Sequence, residues 1–374
     1  MKRVRRILQN VFLTKTPIYV IFFVTSACNA RCKMCFNWRN MENVPPAEDL
    51  KLDEIEKIFD NFGDIQHLTI SGGEPFLRSD LAEILEFASR KNTVQMITIP
   101  TNGILPEKTF AETQRILEKI RPETHLRINL SVLGIGKKHD EITQVPGSFE
   151  KILRTYRMLR PLLGFYKNLN IDTSLCCSVF NKKSAKETLK YCNEHFKDCT
   201  VEITLARGNT RDRLSKDITA REYGEILDYY YRLKNARKEN KPFAGIISSC
   251  DKIVNSQVLQ IMKTKKMPSR CYAYSKMIVL ESNGEVAPCE YLDTKLGNLR
   301  DYGYDIKKIL AKEENKKVWK FIEDGKCYCT WECALINNIV CNPKIYPRVV
   351  GGLIRDRLAG HKTRPAPEGA VNYS

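Results

Sequence analysis

The sequence is short of histidine. It has five in 374 residues, and His67, His125, His139 and His195 stand at no spacing that would pair two of them on one metal ion. They read as structural or surface groups, and a histidine-built metal site is excluded. No apolar run reaches the length of a membrane span, which excludes an integral helical membrane protein. There is no internal repeat, which excludes a solenoid or propeller. Acid is also in deficit: 44 Asp and Glu face 61 Lys and Arg, a formal charge of +17. That excess favours an acidic partner, whether an acidic peptide, an anionic membrane surface or a nucleic acid. The basic residues are scattered, however, and no recognised nucleic-acid-binding module accompanies them, so nucleic acid is not the expected partner.

Cysteine is what the chain has in abundance, with fourteen residues. They are unevenly placed, three near the start and a second group from Cys271 onward. Disulfide-dense chains are usually small and secreted, so a chain of this length points to a reducing cytosol and to thiols that ligate a metal or cluster. Cys176, Cys177, Cys192, Cys199 and Cys250 lie outside both groups and read as packing residues. The N-terminus imitates a lipoprotein signal, with basic residues, an apolar run and then a cysteine. The run IYVIFFV (residues 18–24) is short for a signal core and rich in β-branched and aromatic residues, which suits a buried parallel strand. Ahead of it, RVRRILQNVFL has the pattern of a basic amphipathic helix able to lie on a surface. The expected location is therefore cytoplasmic, with a membrane-surface contact open.

Strand and helix then alternate. Strands are expected at 18–24, 67–71, 94–100, 125–132, 169–180 and 201–206. Between them come helices such as LDEIEKIFDNF, DLAEILEFASRK with Ser79 as its cap, and PEKTFAETQRILEKI with a proline in its first turn. Six such units predict an α/β fold, a partial (β/α)6 TIM-type barrel, with chemistry at the carboxyl ends of the strands. Beyond residue 216 a long charged helix is expected. KMIVLESNGEVAPCEY follows as a hairpin turning at Asn283-Gly284.

Cys28, Cys32 and Cys35 fall just after the first strand. Closed structural zinc sites use four ligands and iron–sulfur clusters commonly four thiolates. A loop with three leaves one iron of a four-iron cluster open to a small molecule. Zinc with a fourth ligand from elsewhere and chance clustering of thiols are the competing readings. Asn29, Arg31 and Lys33 in the loop argue against simple core cysteines.

The stretch Cys28-Asn29-Ala30-Arg31-Cys32-Lys33-Met34-Cys35, with Phe36 after it, resembles the signature of radical S-adenosylmethionine (SAM) enzymes. SGGEP (71–75), TNG (101–103) and SVLGIGKKHDEI followed by PGSFEK resemble later family motifs in the right order. The resemblance covers residues 18 to 210. It implies that Cys28, Cys32 and Cys35 hold a 4Fe-4S cluster and that SAM is met by Gly72, Gly73, Glu74, Thr101, Asn102, Ser131, Asn181 and Arg207. Glu74 would accept from the SAM ammonium. Leu133 stands where the fourth motif often has aspartate, which leaves Ser131 as the contact there and no residue assigned as a catalytic acid or base. The implied activity is reductive cleavage of SAM to a 5′-deoxyadenosyl radical that takes hydrogen from a substrate.

The second cysteine group, Cys271, Cys289, Cys327, Cys329, Cys333 and Cys341, together with SNGEVAPCE and LGN (296–298), resembles the SPASM domain, a small C-terminal cysteine-rich iron–sulfur extension of this family. It implies one auxiliary 4Fe-4S cluster. Cys271 and Cys289 are the expected ligands; the other two come from Cys327, Cys329, Cys333 and Cys341, with Cys327 and Cys333 taken and the choice between Cys327 and Cys329 open; a zinc ribbon is the alternative. The chain thus divides into a basic segment 1–17, a radical SAM barrel 18–215, a helical linker 216–265, a SPASM-like domain 266–345 and a basic, partly disordered tail 346–374. Relatives implied by the resemblance modify peptides, which an acidic leader and a basic enzyme would suit. Seventeen residues ahead of the barrel are too few for a peptide-binding winged helix, and small-molecule or lipid substrates stay open. A flavodoxin or ferredoxin reductant is implied. A non-enzymatic electron-transfer protein would explain the thiols but not SGGEP and TNG.

Overall fold

The computed structural model describes residue 14, residues 16–236 and residues 244–359. The N-terminal helix expected over RVRRILQNVFL and the tail beyond residue 359 lie outside the described residues.

The six parallel strands form where the sequence predicts them: β1 (Tyr19–Thr25), β2 (His67–Gly72), β3 (Met96–Thr101), β4 (His125–Ser131), β5 (Leu169–Cys177) and β6 (Thr200–Leu205). The first helices in chain order are α1 (Trp38–Asn43), α2 (Leu52–Phe62), α3 (Leu81–Lys91), α4 (Pro106–Lys119), α5 (Lys137–Thr143), α6 (Ser148–Leu159), α7 (Leu162–Phe165) and α8 (Ala185–His195). The break between α6 and α7 falls at Pro161, which lacks the N–H an unbroken helix would need there. Ser79 does not cap α3. Asp80 stands at the cap position, its carboxylate is taken by Arg78 at 2.6 Å, and the free Ala82 N–H donates instead to Glu112 of α4 at 2.8 Å.

Strand alternation sorts the side chains. Leu126, Ile128 and Leu130 of β4 are fully buried under the helices, while Arg127, Asn129 and Ser131 take the other, inner face. β1 is buried along its whole length because it is central: it pairs in parallel with β2 on one side and with β7 (Met277–Leu280) on the other. The run that mimicked a signal core is thus the middle of the sheet. The hairpin expected at Asn283-Gly284 joins β7 to β8 (Glu285–Ala287), with Gly284 at φ 86°, and β9 (Gly297–Asn298) follows. One continuous nine-stranded sheet results, in the order β6-β5-β4-β3-β2-β1-β7-β8-β9. The cysteine-rich region therefore grows out of the barrel sheet.

Residues 216–265 are less a linker than a second layer. α9 (Ala220–Ala236) and α10 (Ala244–Thr264) pack on the outer faces of β5 and β6 around Leu175, Ile203, Leu205, Tyr223 and Val258. α11 (Ile306–Ala311) and α12 (Glu313–Glu323) cover the hairpin side. α13 (Glu332–Cys341) joins the two edges of the six-stranded unit. Glu332 accepts from the Leu205 N–H at the end of β6 at 2.8 Å, and Cys333 lies beside Tyr19 of β1. Part of the expected tail is ordered as α14 (Tyr346–Ala359), held to α10 by Ser249 Oγ donating to Val349 O at 2.8 Å. Among the described residues no helix is long and apolar enough to cross a membrane.

Candidate functional site

The first cysteine loop leaves the carboxyl end of β1. Asp49 holds its start, accepting from Thr25 Oγ1 at 2.7 Å and from the Ser26 N–H at 3.1 Å. Its backbone is then pinned from two sides. Arg31 and Lys33 N–H groups each donate to α5, at Thr143 O and Ile142 O, 3.0 Å in both cases. From beyond β6, the N–H groups of Arg211 and Asp212 donate to Cys35 O at 2.9 Å and Lys33 O at 2.8 Å. The three thiols lie part-buried within this one loop, with Cys35 Sγ donating to Met41 Sδ at 3.8 Å. Burial, then the proximity of Glu74 and of Cys35, pushes Cys28 up to about 12. Burial likewise raises Cys32, with Cys35 and Cys28 adding to it, and raises Cys35.

The two glycines of SGGEP seat this loop. Gly72 lies at φ 126°, and a Cβ there would meet Thr25 O at 2.4 Å. A Cβ on Gly73 would sit 1.9 Å from Ala27 O, directly ahead of Cys28. In its absence the Gly73 and Glu74 N–H groups donate to Thr25 O and Ala27 O, both at 2.8 Å. Only glycine permits that approach.

The expected SAM contacts are gathered here, but three of their side chains have other partners. Glu74 is 2% exposed and its carboxylate is occupied. It accepts from Thr101 Oγ1 at 2.8 Å, the Asn102 N–H at 2.8 Å and the Phe76 N–H at 3.2 Å, and burial lifts it to about 7. Its side chain ties the β2 loop to the β3 loop. Asn181 donates to Leu133 O and Cys176 O and accepts from the Ser178 N–H, locking the ends of β4 and β5 together. Arg207 is spent on Glu290 at 3.0 Å. Asn102 remains at the loop itself, its amide donating to Asn29 at 2.7 Å, and Ser131 stays part-exposed at the end of β4 on the inner face.

The second group assembles from distant segments. Cys329 feels Cys271, Cys289 and Cys327 as charged neighbours, and Cys289 feels Cys271 and Cys327. Burial raises all four thiols. Cys333 is elsewhere: its neighbours are Arg207, Glu290, Tyr19 and Glu332. Cys329 rather than Cys333 thus lies with the other three, because α13 begins at Glu332 and its first turn carries Cys333 toward the barrel. Cys341, at the far end of that helix, packs with Ile18.

The thiols of both groups are chemically suited to iron–sulfur clusters, which offer separate irons and sulfide acceptors. Buried donors without partners wait at both sites: Asn29 Nδ2 in the first loop, and Trp331 Nε1 and Asn338 Nδ2 in the second region. Asn338 lies beside Cys271 and accepts from the Tyr272 N–H at 2.8 Å. Sulfide would supply the acceptors these donors lack.

Sequence reasoning missed the inner-face network of the barrel. Arg127 pairs with Asp172 at 2.5 Å and Glu202 at 2.6 Å, and Asn129 donates to Glu202 at 2.9 Å. Below them His67 stacks on Tyr19 at 4.5 Å and bonds Thr98, and burial together with Arg127 lowers its pKa to about 3. Alternation in HLRINLS already places Arg127, Asn129 and Ser131 on one face, which was the available signal. Cys176, read as packing, lies in the same apolar cluster as Cys32 and Met34 at the first site.

A family model described as the radical SAM superfamily matches residues 22–165, and one described as an iron–sulfur cluster-binding domain, SPASM, matches residues 271–334. A GTP 3′,8-cyclase of Aquifex aeolicus is 33% identical over 80% of this chain and 88% of its own length. An AdoMet-dependent heme synthase of Oleidesulfovibrio alaskensis is 24% identical over 81% of this chain and 77% of its own. The subtilosin biosynthesis protein AlbA of Bacillus subtilis is 24% identical over 77% of this chain and 59% of its own. Among solved structures, anSMEcpe with bound AdoMet superposes at TM-score 0.61, 16% identity, covering 92% of this chain and 98% of that one. Streptococcus suis SuiB bound to S-adenosylmethionine superposes at TM-score 0.59, 16% identity, covering 86% and 71%.

Proposed function

The chain belongs to the radical SAM superfamily and carries a SPASM iron–sulfur domain, and from that premise we propose that it is an enzyme that abstracts hydrogen from a peptide substrate. Cys28, Cys32 and Cys35 would hold the SAM-binding 4Fe-4S cluster, and Cys271, Cys289, Cys327 and Cys329 one auxiliary cluster. The first cluster with SAM supplies one electron and, on cleavage, the hydrogen-abstracting radical. The protein's part is placement. Gly72 and Gly73 press the β2 end against the cysteine loop, Glu74 and Asn181 fix the strand-end loops, and Asn102 and Ser131 offer polar groups beside them. The proposed division is a barrel over 18–215, a packed helical layer over 216–265 and a cluster domain over 266–345. A flavodoxin or ferredoxin would deliver the electron.

The observation that carries the reading is the loop itself: three part-buried thiols within eight residues at the carboxyl end of β1, their backbone pinned from α5, from β2 and from beyond β6. The peptide refinement rests on likeness. AlbA is named for biosynthesis of the bacteriocin subtilosin, and SuiB has been solved with a precursor peptide, SuiA. A small-molecule substrate is the second reading, favoured by the polar inner face around Arg127, Asp172 and Glu202 and by the cyclase relative. Anaerobically reconstituted, reduced protein should release 5′-deoxyadenosine from SAM, and a Cys32→Ala variant should not. Mass spectrometry of the 5′-deoxyadenosine then separates the readings. Deuterium arriving from a deuterated peptide pool supports the peptide, and deuterium arriving only from a deuterated small-metabolite pool refutes it.

A further inference from the structure

Arg207 follows β6 and is buried, with its side chain 16% exposed. A buried guanidinium is stable only when its charge and its planar faces both find partners. Glu290, Glu332, Phe36 and Trp331, which this one meets, each lie within two residues of a cysteine. One edge pairs with Glu290, which follows Cys289, at 3.0 Å, and another approaches Glu332, which precedes Cys333, at 3.7 Å. The guanidinium carbon lies 5.0 Å from the centre of the Phe36 ring, and Phe36 follows Cys35. It lies 5.9 Å from Trp331, which stands between Cys329 and Cys333. Glu332 in turn accepts from the Leu205 N–H, closing the circuit back to β6. One side chain therefore touches the segments that carry both thiol sites.

We propose that Arg207 is a positioning residue that couples the two cluster sites, holding the Cys35, Cys289 and Cys329 segments in one buried network and setting the electrostatic field at the auxiliary cluster. This rests on the cluster assignment made above. The expected direction follows from charge. A cation beside a cluster stabilises its more negative, reduced form, and a carboxylate does the reverse. The pair Arg207–Glu290 cancels in the native protein, with Glu332 leaving one negative charge over. Lysine would keep the charge but lose the flat faces that meet Phe36 and Trp331.

The test is an EPR-monitored redox titration of the full-length, reconstituted protein and its variants. Arg207→Met should move the auxiliary-cluster midpoint to more negative potential and Glu290→Gln should move it to more positive potential. The double variant should return toward the native value. Arg207→Lys should preserve the midpoint yet alter the line shape of the auxiliary signal, because charge stays and packing changes. Should Arg207→Met fail to fold, Glu290→Gln, which keeps the guanidinium, carries the test alone through its positive shift. Unmoved midpoints in the single variants, with iron for two clusters present, overturn the coupling role and leave the cluster assignment standing. Iron for one cluster only, in the native protein, sinks both.

Discussion

The two thiol sites of this protein are built in opposite ways. The first comes from one loop of eight residues at the end of one strand, and its backbone bonds run to elements already fixed by the barrel. The second draws Cys271 from ahead of β7, Cys289 from beyond β8 and Cys327 and Cys329 from the approach to α13. A local site is specified by spacing, whereas a distributed one is specified by how three segments pack. The first should therefore fail only when its own thiols or its glycine seat are changed. The second should be sensitive to changes anywhere in the packing that brings its segments together.

The largest expected effect breaks the sites apart. Cys32→Ala should abolish 5′-deoxyadenosine formation and remove the first cluster's iron while the second site still loads, as measured by iron content and EPR. Cys329→Ala should do the converse, losing the auxiliary signal and leaving SAM cleavage detectable. Cys333→Ala should keep both clusters, and loss of the auxiliary one would restore Cys333 as a ligand. Next in size, Gly73→Ala forces a Cβ to within 1.9 Å of Ala27 O, so the loop must move. A cost of about 2–4 kcal/mol is expected for such a backbone collision. It should appear as a lowered melting temperature and poorer loading of the first site only. The smallest effect reports on the barrel floor alone. His67 is depressed from 6.5 to about 3 by burial and by Arg127. The unfolded chain then binds a proton that the folded one does not, so stability is lost as pH falls from 6.5 toward 3. His67→Phe should flatten that part of the stability–pH curve in a denaturant titration.

The same contrast explains what could be read in advance. IYVIFFV, HLTIS and HLRINLS are runs whose burial and alternation fix strand type by themselves, and the trio Cys28, Cys32, Cys35 lies within one loop. Glu74 was legible as part of SGGEP, but the bonds it accepts from Thr101 and Asn102, a strand away, were not. The choice between Cys329 and Cys333 turns on where α13 starts, and that is set by Glu332 reaching Leu205, 127 residues earlier in the chain. The continuous sheet through β7 has the same origin: nothing in MIVL says that it will pair with β1. Contacts between distant segments leave no local pattern, and both the fold's extension and the second site depend on them.

The account stands on an iron at the first site that has no protein ligand, and Cys176, bordering that site in the same cluster as Cys32, is the nearest rival for the position. Electron–nuclear double resonance of the reduced Cys176→Ser protein with SAM carrying a ¹⁵N amino group tests this directly. The predicted result is a nitrogen coupling to the first cluster equal to that in the native protein. A cluster lost in that variant, or a native cluster showing no coupling to SAM, would contradict it.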